Sequence, residues 1–379
     1  MKLSDYVIKF IEDQNVKHIF LISGGGCIHL VDSLSKNKNI EYVCSLHEQG
    51  AGIAAEAYGQ YTNNLGVALV TTGPGGTNIM TAIAGAWLDS TPMLVLCGQV
   101  QTHDRAVGRG IRQLGFQEID MVGISQKITK YAKTIIDPRD IRYDLEKAVY
   151  LATHGRPGPV VLEIPLDIQA QNVEPDKLVG YTPKEEFIIH GSIRDIIRDM
   201  NAAKRPIILV GNGVRLSKAE EEFHKFINHV RIPVLTTWKT LDFLEEEHPL
   251  YVGRPGGVGQ RGANFNQQNS DFILCIGARL DHGQLAYQPK YFAREAVKVI
   301  VDIDQKEIDK LGINVHYPIC FDAKLFLKQL NSRLDEIKPK SSLWLDWCKR
   351  KYKEYPVCNP NHYSGKDRVN LYAFIDTLS

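Results

Sequence analysis

The stretch Leu46-His47-Glu48-Gln49-Gly50-Ala51 places one carboxylate just before a run of small residues, Gly52-Ile53-Ala54-Ala55-Glu56-Ala57-Tyr58-Gly59. Taken alone, a glutamate at a helix start is a cap that answers the positive end of the helix dipole. A second segment changes that reading. Val67 to Val70 is an apolar run of strand length, and it ends in Thr71-Thr72-Gly73-Pro74-Gly75-Gly76-Thr77-Asn78. A carboxylate at the mouth of a small-residue helix, followed by a Gly/Pro/Thr/Asn turn after a strand, is an arrangement for holding a heteroaromatic cofactor. A carboxylic acid that hydrogen-bonds a ring nitrogen must share a proton with it. A largely apolar pocket favours that sharing, because desolvation disfavours the bare carboxylate.

The elements that must position these residues alternate along the chain. Ser4 is expected to cap a helix through about Gln14, and His18 to Ile22 reads as a strand running into Gly24-Gly25-Gly26. Ile28 to Ser35 reads as a helix, Ile40 to Ser45 as a strand leading to Glu48, Asn78 to Trp87 as a helix and Met93 to Cys97 as a strand. Val160-Val161-Leu162-Glu163-Ile164 closes this unit before Pro165. The polar stretch from Gln169, with Pro175 and Pro183, reads as a linker over 169–187. A second unit over 188–337 repeats the alternation. It has a helix from Ile193 to Ala203, a strand from Pro206 to Val210 ending in Gly211-Asn212-Gly213, and a helix capped by Ser217 that runs through His229. Further strands are expected at Val234 to Thr237, Phe272 to Ile276 and Val297 to Ile303. The fold class is therefore α/β, as two consecutive parallel-sheet domains, 1–168 and 188–337, with a polar tail from 338 to 379.

Bulk properties exclude several function classes. The chain has 379 residues, 44% hydrophobic and 23% charged, with a formal net charge of +1. That balance is typical of a soluble globular protein and gives no reason to expect nucleic acid or an anionic membrane surface as partner. No apolar run approaches the roughly 18 residues that span a bilayer. The seven cysteines, at 27, 44, 97, 275, 320, 348 and 358, form no CxxC. They read as reduced thiols of a cytoplasmic protein rather than metal ligands or disulfides. His282 and His362 lack partners at ligand spacing.

The first unit closely resembles the pyrimidine-binding half of thiamine diphosphate enzymes, in particular acetolactate synthase-like ones. The resemblance rests on His47-Glu48-Gln49-Gly50-Ala51, Thr72-Gly73-Pro74-Gly75-Gly76-Thr77-Asn78, Leu88-Asp89-Ser90-Thr91-Pro92, Gly98-Gln99-Val100 and Gly115-Phe116-Gln117-Glu118. It continues in Arg156-Pro157-Gly158-Pro159-Val160 and Glu163-Ile164-Pro165-Leu166-Asp167. By this resemblance Glu48 is the cofactor-activating acid, Pro74 and Asn78 line the pyrimidine side together with Gly24, and Gln117 faces the substrate. The implied substrate is a small 2-keto acid, decarboxylated and passed to a second carbonyl or released as an aldehyde. A specialised decarboxylase or lyase, or a non-catalytic nucleotide-binding subunit, are the alternatives.

The second unit resembles the middle domain of the same enzymes through Arg205-Pro206-Ile207-Ile208-Leu209-Val210-Gly211-Asn212-Gly213, Gly277-Ala278-Arg279-Leu280-Asp281 and Val301-Asp302-Ile303-Asp304. In some relatives this domain binds FAD or an ADP moiety, and in others it is empty. The residues implied for such a ligand are Gly211, Gly213, Gly277, Arg279 and Asp302. Gly257-Val258-Gly259-Gln260-Arg261-Gly262 matches a dinucleotide fingerprint formally but follows no clear strand.

Two departures stand out. The early loop, Phe20-Leu21-Ile22-Ser23-Gly24-Gly25, lacks the family's proline, and the segment from Val100 to Phe116 is longer than usual and holds Arg105, Arg109 and Arg112. Three arginines there could meet an anionic substrate. The family anchors its diphosphate and Mg²⁺ on a third domain carrying Gly-Asp-Gly, a tripeptide absent from residues 1–379. The expectation is that Mg²⁺ binds through that third domain, that residues 1–379 alone are inactive and hold no metal, and that the intact enzyme is a homo-oligomer with active sites at the subunit interface.

Overall fold

The computed structural model describes residues 1–183, 192–365 and 367–379. The chain divides into two compact units, with the division between Glu186 and Phe187. The expected linker end, 184–187, and the start of the expected second domain, 188–191, lie outside the described residues.

The first unit is built on a six-stranded sheet. Its strands are β1 (His18–Leu21), β2 (Glu41–Cys44), β3 (Gly66–Val70), β4 (Met93–Gln99), β5 (Tyr131–Thr134) and β6 (Pro159–Pro165), in the order β2-β1-β3-β4-β6-β5. Every pairing is parallel. The interior strands β3, β4 and β6 are buried along their whole length. This is why they read as unbroken apolar runs rather than alternating ones. Helices Leu3–Asp13, Ile28–Lys36 and Ile141–Thr153 bury Leu3, Val7, Ile11, Leu30, Leu34 and Leu145 against one face. Helices Glu48–Thr62 and Met80–Asp89 pack Ala55, Ala82 and Ala86 against the other. The small side chains there let helix and sheet approach closely.

The second unit is built on a five-stranded parallel sheet of β7 (Pro206–Val210), β8 (Val234–Thr236), β9 (Phe272–Ile276), β10 (Val297–Asp302) and β11 (Tyr317–Cys320), in the order β11-β10-β9-β7-β8. Phe223, Phe226, Phe272 and Phe326 are its largest fully buried side chains. Numbered within each unit, the first four strands of both sheets run 2-1-3-4, so the direction of winding reverses between the first and third strands. That reversal opens a crevice at the carboxyl ends of those strands, the usual ligand position in open α/β sheets.

Several local expectations are corrected. Ser4 is not the N-cap of the first helix: Lys2 holds that position, and the buried Ser4 hydroxyl accepts from Ser33 Oγ at 2.9 Å. Ser217 instead ends the short helix Gly213–Leu216, and the following helix, Glu220–Val230, starts after Ala219 with three glutamates in its first turn. Those charges do the work of a cap by facing the helix dipole. Strands β5 and β11 lie at sheet edges, are only partly buried and carry no apolar run to betray them.

Two stretches read as connecting chain are packed. Gln169 is fully buried and donates to the carbonyls of Gly26 and Ile164, each at 2.7 Å. Val173 and Leu178 enter the first core, and Lys2 bridges to Asn172. Within the tail, helix Ser342–Glu354 sinks Trp344, Leu345 and Cys348 into the second core. The Trp344 indole N–H donates to the Pro206 carbonyl at 2.8 Å.

Trp344→Ala should therefore cost the second unit about 3–5 kcal/mol, the range for truncating a buried tryptophan. Urea titration of the full-length protein checks this. A change within about 0.5 kcal/mol, as for an exposed residue, would mean the tail is not part of that core.

Candidate cofactor site at the edge of the first sheet

The crevice between β1 and β3 is lined by three loops, one each from the carboxyl ends of β1, β2 and β3. The loop after β2 delivers Glu48 as the first residue of helix Glu48–Thr62. His47 caps that helix, its Nδ1 accepting from the Gln49 N–H at 3.1 Å. The loop after β3 turns through Gly73 into the short helix Pro74–Asn78, with Pro74 at its first position, where a missing N–H costs nothing. That turn delivers Asn78, whose Nδ2 donates to Glu48 Oε2 at 2.9 Å. Residues 30 apart in sequence are thus joined across the crevice. Glu48 is half-buried, and a Cβ placed on Gly75 would stand 3.6 Å from its Oε1.

The loop after β1 comes equally close. The Gly26 N–H donates to Thr71 Oγ1 at 3.1 Å, and a Cβ on Gly24 would lie 2.5 Å from the Thr71 side chain. Gly24 therefore allows its backbone to lie against the Thr71 side chain at the floor of the crevice, without the proline usual in that loop. Gly73 has φ +62°, and a Cβ there would collide with the Gln117 carbonyl oxygen. Gln117 itself is exposed and left-handed, with φ +59°. Glu48 is thus joined to Asn78, Gly24 lies against Thr71, and Gln117 touches Gly73, the residue before Pro74.

The arginines of the long loop do not act together. Arg105 points inward: its Nη2 donates to Thr134 Oγ1 at 3.3 Å and stands 4.0 Å from Glu163 Oε2. Arg109 and Arg112 are exposed, and Arg109 donates to the His103 carbonyl at 2.8 Å.

A buried polar chain beneath the crevice was not anticipated. Thr72 Oγ1 donates to Gln99 Oε1 at 2.5 Å, and Gln99 Nε2 donates to Glu163 Oε1 at 2.8 Å. Thr134 Oγ1, directly across the β5–β6 ladder, donates to Glu163 Oε2 at 2.7 Å. The signal lay in the sequence: a glutamate inside the apolar run Val160 to Ile164 has to find partners. Burial pushes the Glu163 carboxyl above its usual range, against the opposing pull of Thr134, Arg105 and Gln99. A second buried carboxylate, Glu118, accepts from the backbone N–H groups of Ala106, Leu114 (3.1 Å) and Gly115 (3.4 Å), and so gathers the long loop around itself.

In the second unit, Gly211, Gly213 and Gly277 meet at the β7–β9 crevice. The Gly213 N–H donates to the Gly277 carbonyl at 3.0 Å, and a Cβ on Gly213 would lie 2.6 Å from Gly277 Cα. These glycines let two loops touch. Arg279 follows with φ +58° and lies 3.9 Å from Glu307. Asp302 ends β10 and accepts from the Asp304 N–H at 3.0 Å.

Comparison with known proteins gives the family. Residues 1–124 match the family described as thiamine pyrophosphate enzyme, N-terminal TPP binding domain, and residues 193–330 match its central domain. The chain belongs to the thiamine pyrophosphate enzymes. Among curated relatives, it is 36% identical over 361 residues to an acetolactate synthase large subunit of Corynebacterium glutamicum, covering 92% of this chain and 56% of that one. It is 35% identical to the acetolactate synthase large subunit of Cyanidium caldarium, over 94% of this chain and 62% of that one. The Lactococcus lactis large subunit is 33% identical, over 90% of this chain and 59% of that one. The chain therefore spans rather more than half the length of these relatives.

The elevated Glu163 carboxyl has a testable consequence. Between the ordinary carboxylate range and the raised value, the folded protein keeps a proton that the unfolded chain has lost. The contribution of Glu163 to wild-type stability must then fall as pH rises through that window. Glu163→Gln cannot ionise, so its stability relative to wild type should improve as pH climbs through the window. Denaturant titrations at successive pH values check this, and a difference that does not vary with pH would contradict it.

Proposed function

We propose that the protein carrying this chain is a thiamine diphosphate-dependent, acetolactate synthase-like enzyme that takes a small 2-keto acid as substrate. The observation that carries the reading is the Asn78–Glu48 hydrogen bond over the first-sheet crevice, in a chain of this family. The residues present suit an aminopyrimidine: a half-buried carboxylate at a helix start, an amide that orients it, and glycines where a ring must approach backbone. When bound, thiamine diphosphate supplies a nucleophilic carbon for the keto carbonyl and a sink for the electrons released with CO₂. Glu48 holds a proton against the ring nitrogen. Asn78 fixes the carboxylate's plane, Pro74 and Gly24 border the ring, and Gln117 meets the substrate.

The relatives' names favour this reading over a specialised lyase or a silent subunit. The inward turn of Arg105 takes away one of the three arginines that suggested an anionic substrate.

We propose Mg²⁺ as the companion ion of the bound diphosphate, since it wants hard oxygen ligands. A homo-oligomer that covers the face around Glu48 accounts for the exposure of Tyr42, Val43, Leu46 and Ile53. No described helix is long and apolar enough to cross a membrane, and all seven cysteines are free. Both fit a cytoplasmic setting. The second-unit crevice over Gly211, Gly213, Gly277, Arg279 and Asp302 is the seat for FAD or an ADP moiety. Flavin absorbance or released ADP in the purified full-length protein would support that assignment, and neither would remove it.

Glu48→Gln in the full-length protein is the central test. Turnover of a 2-keto acid should fall by about 10²–10⁴-fold, the usual worth of a general acid–base group. Thiamine diphosphate affinity, read by calorimetry with Mg²⁺ present, should change far less. Undiminished turnover, or a wild-type protein that does not bind the cofactor, would sink the assignment.

A further inference from the structure

We propose that Gln99, held by Glu163, is a positioning residue that clasps the loop from Val100 to Ile119 onto the cofactor turn Thr72–Asn78. The inference rests on the site reading given above, because it assigns these two segments to substrate and cofactor respectively.

Gln99 ends β4 and is 1% exposed, and its amide makes four hydrogen bonds. Oε1 accepts from the Thr72 hydroxyl at 2.5 Å and from the Val100 N–H at 2.8 Å. Nε2 donates to the Ile119 carbonyl at 2.9 Å and to Glu163 Oε1 at 2.8 Å. One side chain therefore grips the first residue of the loop, its last residue and the turn that carries Pro74 and Asn78. The amide's two ends are distinguishable only by their partners. Two donors require the oxygen on one side, and a carbonyl with a carboxyl oxygen require the NH₂ on the other. The Val100 N–H and the Ile119 carbonyl, whose roles are fixed, set that sense, and the remaining N–H goes to Glu163. Glu163 is in turn fixed by Thr134 at 2.7 Å and faced by Arg105, itself a residue of the loop.

A second, independent contact joins the same two segments. The Gln117 carbonyl lies where a Cβ on Gly73 would sit, so loop and turn touch backbone to backbone beside the clasp. Between its ends the loop is organised by Glu118 but has an exposed surface: Val107, Ile111, Leu114 and Phe116 are all exposed. Nothing in that surface would keep the loop against the turn. The buried amide does so, and it places Gln117 at a fixed height above the crevice. The Glu48–Asn78 hydrogen bond itself involves neither Gln99 nor Glu163.

The test uses the full-length protein and compares wild type, Gln99→Leu and the milder Glu163→Gln, which keeps an acceptor for the Gln99 amide. Three quantities are measured: kcat/KM for pyruvate as the 2-keto acid probe, the Kd for thiamine diphosphate with Mg²⁺, and the rate of tryptic cleavage after Arg109 and Arg112. Gln99→Leu should lower kcat/KM by about 10- to 100-fold, as expected for lost buried hydrogen bonds that hold a reacting geometry. It should raise the cleavage rate about tenfold or more, because the loop opens locally, and leave the cofactor Kd within about threefold, less than one hydrogen bond's worth. Glu163→Gln should move the same readouts in the same direction by less. If Gln99→Leu does not fold, Glu163→Gln must still separate kcat/KM from Kd, and parallel changes in the two would overturn the proposal. Unchanged cleavage and unchanged kcat/KM would overturn it too. A wild type that binds no thiamine diphosphate, yet shows the cleavage effect, would overturn the reading of the site instead and leave Gln99 as a loop anchor only.

Discussion

The hydrogen bond from Asn78 to Glu48 constrains the rest of the first unit. A carboxylate at a helix start ordinarily turns toward the free N–H groups of its own first turn. Here His47 performs that capping, through its own ring nitrogen. The Glu48 side chain is thereby released to reach across the crevice, where the Asn78 amide fixes it at 2.9 Å. Glu48 starts the helix after β2 and Asn78 ends the short helix after β3, so their separation is set by the register of β1 with β2 and with β3. A one-residue slip in either ladder would turn the following loops over and break the pair.

The sheet order explains why the crevice exists. The chain leaves β1 toward β2, then crosses back to β3, and the loops at those two carboxyl ends diverge. Thr71 fills the floor, and glycines on both sides let the loops close over it. The second unit repeats the same reversal without repeating the sequence. There the glycines of the two loops press directly on each other instead. One topology thus gives a crevice floored by Thr71 at the first sheet and a crevice with a glycine-on-glycine floor at the second.

Legibility in the sequence followed burial. Interior strands such as β3, β4 and β9 are buried throughout and announce themselves as apolar runs. Edge strands β5 and β11 do not, because a half-exposed strand needs no such run. Serines at 4 and 217 suggested caps, but a serine hydroxyl serves as well inside a helix contact or at a helix end, and only the packed structure decides. Glu48 and Asn78 stand in separate motifs of the sequence, and the structure joins them by a hydrogen bond. Gln99 and Glu163 stood in motifs too, yet their role depends on partners at 72, 119 and 134 that spacing does not connect. Gln169 escaped for a related reason: its stretch is polar in sequence, but its amide is consumed by two buried carbonyls.

The unit contains three glutamates near the crevice, and their surroundings separate their roles. Glu118 is encircled by backbone N–H groups of its own loop, so its oxygens are occupied by donors that cannot leave without unfolding the loop. Glu163 lies fully buried within the sheet, where Gln99 and Thr134 take one oxygen each. Glu48 differs from both. Its described donor engages Oε2, while Oε1 lies beside Gly75, where the absence of a side chain keeps the approach clear. A carboxyl group that is to share a proton with a visiting ring must have one oxygen anchored and the other accessible. Of the three, only Glu48 is arranged that way, and it is so arranged because residue 75 has no side chain and residue 78 has an amide.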